Sequence, residues 1–258
     1  MKIFKNRRDN FLYFIYRLVN PIIDPVKLYT GLIGYPWFIR DLIQYKVLDP
    51  STQLLSTNLY PVLDEKVSYT PFDAHYYYQQ LWVFEKVLEA KPREHVDVAS
   101  TYELSGYLSK IVPTTFIDLR PIKTSLKNLK IKRGDMLHMP FKDRSVRSLS
   151  SLHSIEHVGL GRYGGEINPQ GTHQACKELS RILAKNGKLY ISVPIGKEKV
   201  CFNAHRIFSP MTIISFFKDL RLISFSVVDD NSKFIENTRP EKYTNLNYGC
   251  GLFIFARQ

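Results

Sequence analysis

The feature that most constrains the fold is a strand, a tight turn and a helix at residues 95–112, where the turn contains almost no glycine. The strand ends at Asp97, and the residues that follow are Val98, Ala99, Ser100 and Thr101. Units of this kind gather nucleotide-type ligands where a strand end meets a helix N-terminus. Glycine normally lets the backbone approach such a ligand, yet the first glycine after this strand is Gly106. The stretch therefore predicts a nucleotide-type site with an altered turn.

Strands and helices alternate from residue 74 onwards. The pattern predicts helices over residues 74–90, 172–183 and 210–217. It predicts seven strands, over residues 95–99, 115–119, 128–132, 146–152, 188–193, 222–228 and 251–256. Such alternation is typical of parallel βαβ units in an α/β fold. The last two strands have no helical pattern between them, so we expect them to pair as an antiparallel hairpin at one edge.

Composition narrows the class of partner and the compartment. The chain has 258 residues and a formal net charge of +12, which favours anionic partners. The lysines and arginines are spread along the chain without a long run, so nucleic acid is not indicated. The three cysteines, Cys176, Cys201 and Cys250, form no CxxC pair, which is typical of a reducing compartment. We therefore expect a cytoplasmic protein.

The first 70 residues differ in character from the rest, and we expect an N-terminal arm over residues 1–70 before an α/β domain over residues 71–258. Residues 11–38 are apolar and aromatic but are interrupted by charged residues and prolines. They never reach the roughly 18–20 apolar residues that a membrane-spanning helix needs. Basic and aromatic residues around short apolar runs suit a segment lying on a membrane, here the inner face. The alternative is an arm packed on the domain.

Three aspartates follow successive predicted strands. Asp97 ends the first strand, Asp118 ends the second, and Asp135 follows the third. An acidic residue about 20 positions past a nucleotide-binding turn accepts hydrogen bonds from ribose hydroxyls. Strand-end aspartates are also ordinary turn formers. Their shared register favours a nucleoside site.

The stretch LHSIEHVGLGRYG contains His153, Glu156 and His157 as H-x-x-E-H. That pattern occurs in inverted zinc-protease motifs, but there both histidines lie on one face of a helix. Here the run follows a strand and is soon interrupted by Gly159 and Gly161. We therefore expect no metal, and a zinc-dependent hydrolase is a third hypothesis only. We expect these residues to line a pocket, with Glu156 or His157 as acid or base; alternatively His157 caps a short helix.

A second polar stretch, CFNAHRIFSP, contains Asn203, His205 and Arg206. A histidine beside an arginine in a strand-end loop suits an anionic or sugar substrate, with His205 as a candidate base. His75, at the start of the helix over residues 74–90, is either a core or a pocket residue. Tyr163 lies in the glycine-rich loop after His157. We predict substrate contacts for His75, Tyr163, Asn203 and Arg206.

Taken together, VDVAS, IDLRP, GDMLHMPFKDRSVRSLSSLHSIEHVG and ELSRILAKNGKLYISVP resemble class I S-adenosylmethionine-dependent methyltransferases. The last stretch is the most specific, because those enzymes often carry an E-x-x-R-V-L-K-P-G-G helix before their fifth strand. The corresponding residues are Glu178, Arg181, Leu183, Asn186 and Gly187.

The stretches FDAHYYYQQLW, IEHVGLGRYGGEINPQGT, CFNAHRIFSP and NYGCGLF further resemble the family called domain of unknown function 268, over roughly residues 60–258. That resemblance implies a Rossmann-like methyltransferase fold, often in surface-polysaccharide contexts. The implied architecture is a mostly parallel seven-stranded sheet with an antiparallel edge hairpin, plus a helical N-terminal extension.

By analogy with these methyltransferases, S-adenosylmethionine is the implied cofactor. The turn after Asp97, with Ala99 and Ser100, would face its methionine part, and Asp118 its ribose. Asp135 and Met136 would face the adenine, and His153 would complete the pocket. The family usually shows D-x-G-x-G, whereas Ala99 and Thr101 stand at the two glycine positions. An alanine forced to positive φ there costs about 1 kcal/mol.

The sequence thus predicts a methyltransferase that acts on an oxygen or nitrogen of a sugar or surface-glycan precursor, in polysaccharide biosynthesis. We expect Glu156, His157 or His205 to deprotonate the acceptor, and a glycan or nucleotide-sugar to be the substrate. The alternative is a non-catalytic, methyltransferase-like scaffold in a glycan assembly complex. The oligomeric state is left open.

Overall fold

The structure, a computed structural model, describes residues 11–258, which divide into two compact units, residues 11–71 and Phe72–Gln258. The first unit contains α1 (Phe11–Val19) and α2 (Pro25–Leu48). The Asp24 side chain accepts hydrogen bonds from the first-turn amides of α2, and Pro25 begins the helix, as both residue types favour. None of the α1 side chains is buried. Within residues 11–258, no helix combines the length and apolar character needed to cross a membrane.

The second unit contains a sheet flanked by helices. Its helices are α3 (Ala74–Ala90), α4 (Tyr102–Leu108), α5 (Gly171–Ile182) and α6 (Pro210–Phe216). Its strands are β1 (His95–Val98), β2 (Thr114–Asp118), β3 (Leu129–Arg133), β4 (Val146–Leu152), β5 (Leu183–Ile195), β6 (Lys199–Cys201), β7 (His205–Ile207), β8 (Arg221–Val228), β9 (Phe234–Ile235) and β10 (Gly249–Ala256). The helices and strands predicted from residue 74 onwards are confirmed, with boundaries shifted by a few residues.

The main sheet has eight strands in the order β3-β2-β1-β4-β5-β10-β8-β9. Strands β1 to β5 are parallel, and β10 pairs antiparallel with both β5 and β8. This is the Rossmann-like class I methyltransferase architecture that the resemblance implies. The predicted count of seven strands was wrong by one, because β9 has only two residues and gives no readable pattern. β9 rather than β8 therefore forms the edge, and β6 and β7 form a separate two-stranded sheet.

Two apolar layers cover the two faces of the sheet. Alternate residues of β10 point to opposite faces, as in any strand. Leu252 and Ile254 pack in the layer that contains α3 and α4, whereas Phe253 and Phe255 pack in the layer that contains α5 and α6. The sheet is thus buried on both faces, which holds the carboxyl ends of β1 to β4 in fixed positions.

Candidate functional site

A cleft of about 1110 Å³ opens at the carboxyl ends of β1 to β4. In open α/β sheets this is the end where ligands bind. Eight of the predicted site residues line it: Ala99, Ser100, Asp118, Asp135, Met136, His153, His157 and Tyr163. Six others lie outside its lining: His75, Asp97, Glu156, Asn203, His205 and Arg206. Tyr76, Arg120 and Arg162, which the sequence analysis did not select, also line the cleft.

The turn after β1 has the backbone conformation that glycine favours. Ala99 has a φ of 55°, and its amide donates to the Ile117 carbonyl at 2.8 Å. Its carbonyl accepts a hydrogen bond of 2.6 Å from Ser154 Oγ. An alanine in this left-handed region costs about 1–2 kcal/mol. The turn therefore holds Ala99 in a left-handed conformation, at a cost in backbone strain, and places a methyl group in the cleft wall.

The hydroxyl of Ser100 connects β1 to β4. It donates to Asp97 Oδ1 at 2.5 Å and accepts from the Leu152 amide at 2.9 Å. Thr101 caps α4 instead of pointing a free hydroxyl at a ligand, because its Oγ1 accepts from Leu104 N at 3.4 Å. Both hydroxyls of the turn thus already have partners within the fold.

Beneath the cleft, Asp97 and His95 belong to a buried polar network. Ser150 Oγ donates to Asp97 Oδ1 at 2.9 Å and lies 2.9 Å from His95 Nε2. Ser148 Oγ lies 2.8 Å from His95 Nδ1. Burial raises the pKa of Asp97 to about 7, and burial also lowers the pKa of His95 to about 3. Alternating serines on β4 are the only sequence sign of this network.

Asp118 and Asp135 stand at the cleft with one carboxylate oxygen each held by the backbone. Asp118 Oδ1 accepts from Arg120 N at 2.6 Å, and Asp135 Oδ1 accepts from Leu137 N at 2.9 Å. Within residues 11–258, the second oxygen of neither carboxylate accepts a hydrogen bond. Both side chains are half-buried, and Met136 between them and the core is buried. The two carboxylates are thus oriented, with acceptor capacity to spare.

Glu178 and Arg181 hold the segment that follows Asp135. Glu178 Oε2 accepts from Met139 N at 2.9 Å, and Arg181 Nη2 donates to the Met139 carbonyl at 3.2 Å. Arg181 also donates to the Phe141 carbonyl at 3.0 Å and to Glu178 Oε1 at 2.7 Å. The E-x-x-R pattern therefore has a physical reason: it fixes the wall of the cleft beyond β3.

His153, Glu156 and His157 follow β4, and the last two lie in a 3-10 turn over Ile155–His157 rather than on an α-helix. His153 Nδ1 lies 3.2 Å from Glu156 Oε1, and His153 Nε2 lies 3.3 Å from Cys250 Sγ. Burial opposes its charge, but Cys250 and Glu156 raise the pKa of His153 to about 10. Burial also opposes the charge of Glu156, yet His153 holds its pKa below the ordinary value.

His157 has the geometry of a neutral base at the cleft. Its Nδ1 lies 2.6 Å from the Ala204 carbonyl, so Nδ1 carries the proton and donates it. In the neutral ring Nε2 is then unprotonated, and it lies 3.7 Å from Glu156 Oε1. Burial lowers the pKa of His157 despite the attraction of Glu156.

The loop after His157 forms one wall of the cleft. Gly159 has a φ of +80°, and a side chain there would clash with the Asn168 carbonyl. Leu160 and Ile167 form an isolated antiparallel bridge that closes the loop. At the tip of the loop is Tyr163. The Cζ atom of Arg120 lies over the Tyr163 ring, 4.3 Å from the ring centroid. Gly159 is thus required by a closed loop that carries an aromatic ring to the cleft.

Arg206 and its neighbours support this loop from outside the cleft. Arg206 is buried and donates to the Val158 carbonyl at 2.6 Å and to Thr172 Oγ1 at 3.1 Å. The His205 ring lies 5.2 Å from the ring of Tyr248, and Asn203 is exposed. The Tyr248 ring in turn stacks on His75, with centroids 5.1 Å apart. Arg206 therefore contacts the loop and lies outside the lining of the cleft.

A family model and a curated relative match parts of this chain. The model of the family described as "Caenorhabditis protein of unknown function, DUF268" matches residues 136–248, a narrower range than residues 60–258. Protein MJ0638 of Methanocaldococcus jannaschii is 29% identical over 136 residues, 49% of this chain and 52% of its own length. The chain thus spans about half the length of this curated relative.

One solved structure shows the fold. The [4+2]-cyclase SpnF aligns with a TM-score of 0.50 and 11% identity, over 68% of this chain and 80% of its own. A second solved structure, N-methyltransferase NodS of Bradyrhizobium japonicum with S-adenosylhomocysteine, aligns with a TM-score of 0.48 and 12% identity. The alignment covers 70% of this chain and 86% of NodS.

Proposed function

We propose that this chain, which carries the domain of unknown function 268 over residues 136–248 on a class I methyltransferase fold, is an S-adenosylmethionine-dependent methyltransferase. The observation that carries the proposal is the pair of oriented carboxylates, Asp118 and Asp135, in one cleft at the carboxyl ends of adjacent strands. Such carboxylates accept hydrogen bonds from the hydroxyl and amino groups of a nucleoside.

The cleft fits the nucleoside half of this cofactor. Asp118 and Asp135 each keep one carboxylate oxygen for a ligand donor, and apolar side chains surround them, including Ile117, Ile122 and Met136. A mixture of apolar walls and a few oriented polar groups is typical of small-molecule sites. The strained turn at Ala99 is retained although no glycine is present, which fits a conformation needed for binding.

When bound, the cofactor supplies an electrophilic methyl group. Asp118 would hold the ribose, Asp135 and Met136 would flank the adenine, and the turn at Ala99 would face the methionine part. The chain's own contribution is positioning of the acceptor, which supplies much of the rate of a transfer reaction. His157 Nε2, unprotonated at the cleft, would accept the proton from an acceptor hydroxyl.

We further propose a polar acceptor such as a sugar hydroxyl or amine of a glycan precursor or nucleotide-sugar. The acceptor side of the cleft carries Tyr76, Arg162 and Tyr163 beside His157. Tyrosines offer a flat apolar face and a hydroxyl, and arginine binds phosphate in a bidentate manner. These groups suit a phosphorylated sugar better than an apolar acceptor.

Calorimetry with S-adenosylmethionine and S-adenosylhomocysteine tests the cofactor. Loss of hydrogen bonds to a charged group costs about 1.5–3 kcal/mol, so Asp118→Ala should bind at least tenfold more weakly than the wild type. Asp219→Ala, at an exposed aspartate outside the cleft, is the matched control and should bind normally. Equal affinity of Asp118→Ala and the wild type would remove the ribose assignment.

A second candidate function is a non-catalytic scaffold with the same fold. The methyl group of Ala99 and the engaged hydroxyl of Ser100 favour it, because both reduce backbone and side-chain access at the turn. Thermal melts separate the two candidates. A ligand at about 100 times its dissociation constant stabilises a protein by roughly 2.7 kcal/mol. A shift with either ligand supports the methyltransferase, and no shift supports the scaffold.

Contact with the cytoplasmic face of a membrane is a separate proposal for the N-terminal unit. Phe11, Phe14 and Leu18 of α1 are exposed by 71%, 54% and 57%. Such a helix lies in the interface when its apolar face enters the headgroup region. In flotation with phosphatidylglycerol vesicles, the double variant Phe14→Asp, Leu18→Asp should stay unbound. Met211→Asp, at an exposed apolar residue of α6, should float like the wild type; equal flotation of all three would contradict the proposal.

A further inference from the structure

Three potential metal ligands from distant parts of the chain meet behind the cleft. They are His75 on α3, His153 after β4 and Cys250 on β10. One ligand atom from each lies within 4.8 Å of the others. His153 and Cys250 are buried and His75 is half-buried, so the cluster is not a solvated surface group. We propose that this cluster binds a zinc-class transition-metal ion.

The distances suit tetrahedral coordination. Zinc bonds imidazole nitrogen at about 2.0–2.1 Å and thiolate sulfur at about 2.3 Å, which places neighbouring ligand atoms roughly 3.3–3.7 Å apart. His153 Nε2 already lies 3.3 Å from Cys250 Sγ. The ligand atom of His75 lies within 4.8 Å of the other two. From the same bond lengths, His75 must move by about 1 Å to reach the distances of tetrahedral coordination, and it lies on the first turn of a helix.

The second ring nitrogen of His153 provides independent support. Histidines that bind metals usually direct this nitrogen to a carboxylate, which fixes the ring and its tautomer. His153 Nδ1 lies 3.2 Å from Glu156 Oε1, and Glu156 is fully buried. Neither Glu156 oxygen accepts a well-aligned hydrogen bond from the described residues. With Nε2 bound to the ion, the Nδ1 proton would be available to this carboxylate.

The charges also balance. A divalent ion, the thiolate of Cys250 and the carboxylate of Glu156 sum to zero, as a buried site requires. Metal ligands bind in their deprotonated forms, so Cys250 would bind as the thiolate and His153 through a neutral imidazole. Three protein ligands leave one tetrahedral position for water or a substrate atom, as in catalytic rather than structural zinc sites. Because His153 also lines the cleft, the ion would lie beside it.

This cluster differs from the H-x-x-E-H reading of the sequence. In that reading both histidines of the motif bind the metal, whereas here His157 is engaged with the Ala204 carbonyl and lies outside the cluster. Glu156 supports a ligand instead of standing beside the metal as a base. The partners of His153 come from α3 and β10, which no local spacing pattern links to it.

The test uses the full chain, purified without a histidine tag. Elemental analysis should find about one zinc per chain after dialysis against zinc, and cobalt should give a thiolate-to-metal charge-transfer band. Cys250→Ser should lose the band, and Cys201→Ser should keep it. His75→Asn should lower zinc affinity at least tenfold, and His173→Asn should not. His75 is half-buried, so this variant is expected to fold even where a substitution of buried His153 would not.

Several outcomes would overturn the site. These are the absence of stoichiometric zinc, a cobalt complex without a thiolate band, and a band that survives in Cys250→Ser. Uptake of copper without zinc or cobalt would also contradict it. None of these readouts needs S-adenosylmethionine, so failure of the metal site is distinguishable from failure of the proposed methyltransferase activity.

Discussion

Ser154 Oγ donates a 2.6 Å hydrogen bond to the carbonyl of Ala99, and this contact fixes a residue whose φ is 55°. The turn after β1 therefore holds a left-handed alanine by a side chain from beyond β4. In the usual D-x-G-x-G pattern a glycine would adopt this conformation without penalty. The turn is thus strained at Ala99 and is held in place by a hydrogen bond.

Replacing Ala99 by glycine should raise stability. Glycine removes the positive-φ penalty of about 1–2 kcal/mol. Part of this gain is lost because glycine raises the conformational entropy of the unfolded chain. We expect Ala99→Gly to gain up to about 1 kcal/mol in chemical denaturation. Ala99→Val, which is β-branched, should lose stability. Two variants that both destabilise the protein to the same degree would contradict the strain at this turn.

Stability should depend on pH through Asp97. Its pKa is raised by burial to about 7 in the fold, from 3.8, so the folded state binds more protons between these values. Its stabilising contribution is therefore complete below about pH 4 and is lost as pH rises through 7. The stability of Asp97→Asn relative to the wild type should rise with pH across this window, by up to about 1.4 kcal/mol per pH unit.

The difference between the two proteins is the quantity to measure, because His95 acts in the opposite direction. Its pKa is lowered by burial to about 3, so the unfolded state binds the extra proton below about 6.5. This contribution favours the fold as pH rises from 3 to 6.5 and cancels in the comparison. Urea titrations of both proteins from pH 4 to 8 measure the difference in their free energies of unfolding. A difference that does not change with pH would show that Asp97 ionises normally.

Methyl transfer should require His157 in its neutral form. Burial lowers the pKa of His157 below 6.5. The rate should therefore rise as pH increases through this lowered pKa and become constant at higher pH. His157→Gln should lower kcat by about 10²–10⁴-fold and remove this acidic limb. Transfer of labelled methyl groups to a panel of nucleotide-sugars measures both. His173→Asn, outside the cleft, is the control; an unchanged pH profile in His157→Gln would exclude His157 as the base.

The pair Glu178 and Arg181 should control binding through the segment they hold. Arg181→Lys keeps the charge but cannot donate to the Met139 and Phe141 carbonyls at the same time. We therefore expect this variant to bind S-adenosylmethionine about tenfold more weakly. Lys177→Ala, an exposed neighbour on α5, should bind normally. Calorimetry decides; equal affinities for all three proteins would mean that this wall does not contact the cofactor.

The order of strands and helices was predictable because the periodic patterns are long and clear. The run over Ala74–Ala90 is amphipathic and uninterrupted, and β4 matched its prediction residue for residue. β9 was missed because two residues carry no period. β5 extends further than predicted, over Leu183–Ile195, because its first residues pair with β4 across a register shift and its last residues pair with β10. Local sequence does not encode such pairing.

The cleft was predictable where it follows strand ends and not where it depends on packing. Asp118 and Asp135 follow strands and line the cleft as that position suggests. Arg206 was predicted in a strand-end loop, but it lies within β7, and its guanidinium donates to the Val158 carbonyl, a partner far away in the chain. The contact of His153 with Cys250 is likewise set by the sheet order. Spacing alone cannot reveal either.

The position of β10 between β5 and β8 has a consequence for biosynthesis. Residues 249–256 occupy the interior of the sheet, so β8 has no partner on that side until they have left the ribosome. Until then β5 and β8 expose unpaired apolar edges to the cell, a state open to aggregation and chaperone binding. The nascent chain therefore depends on residues 249–256 to join β5 to β8.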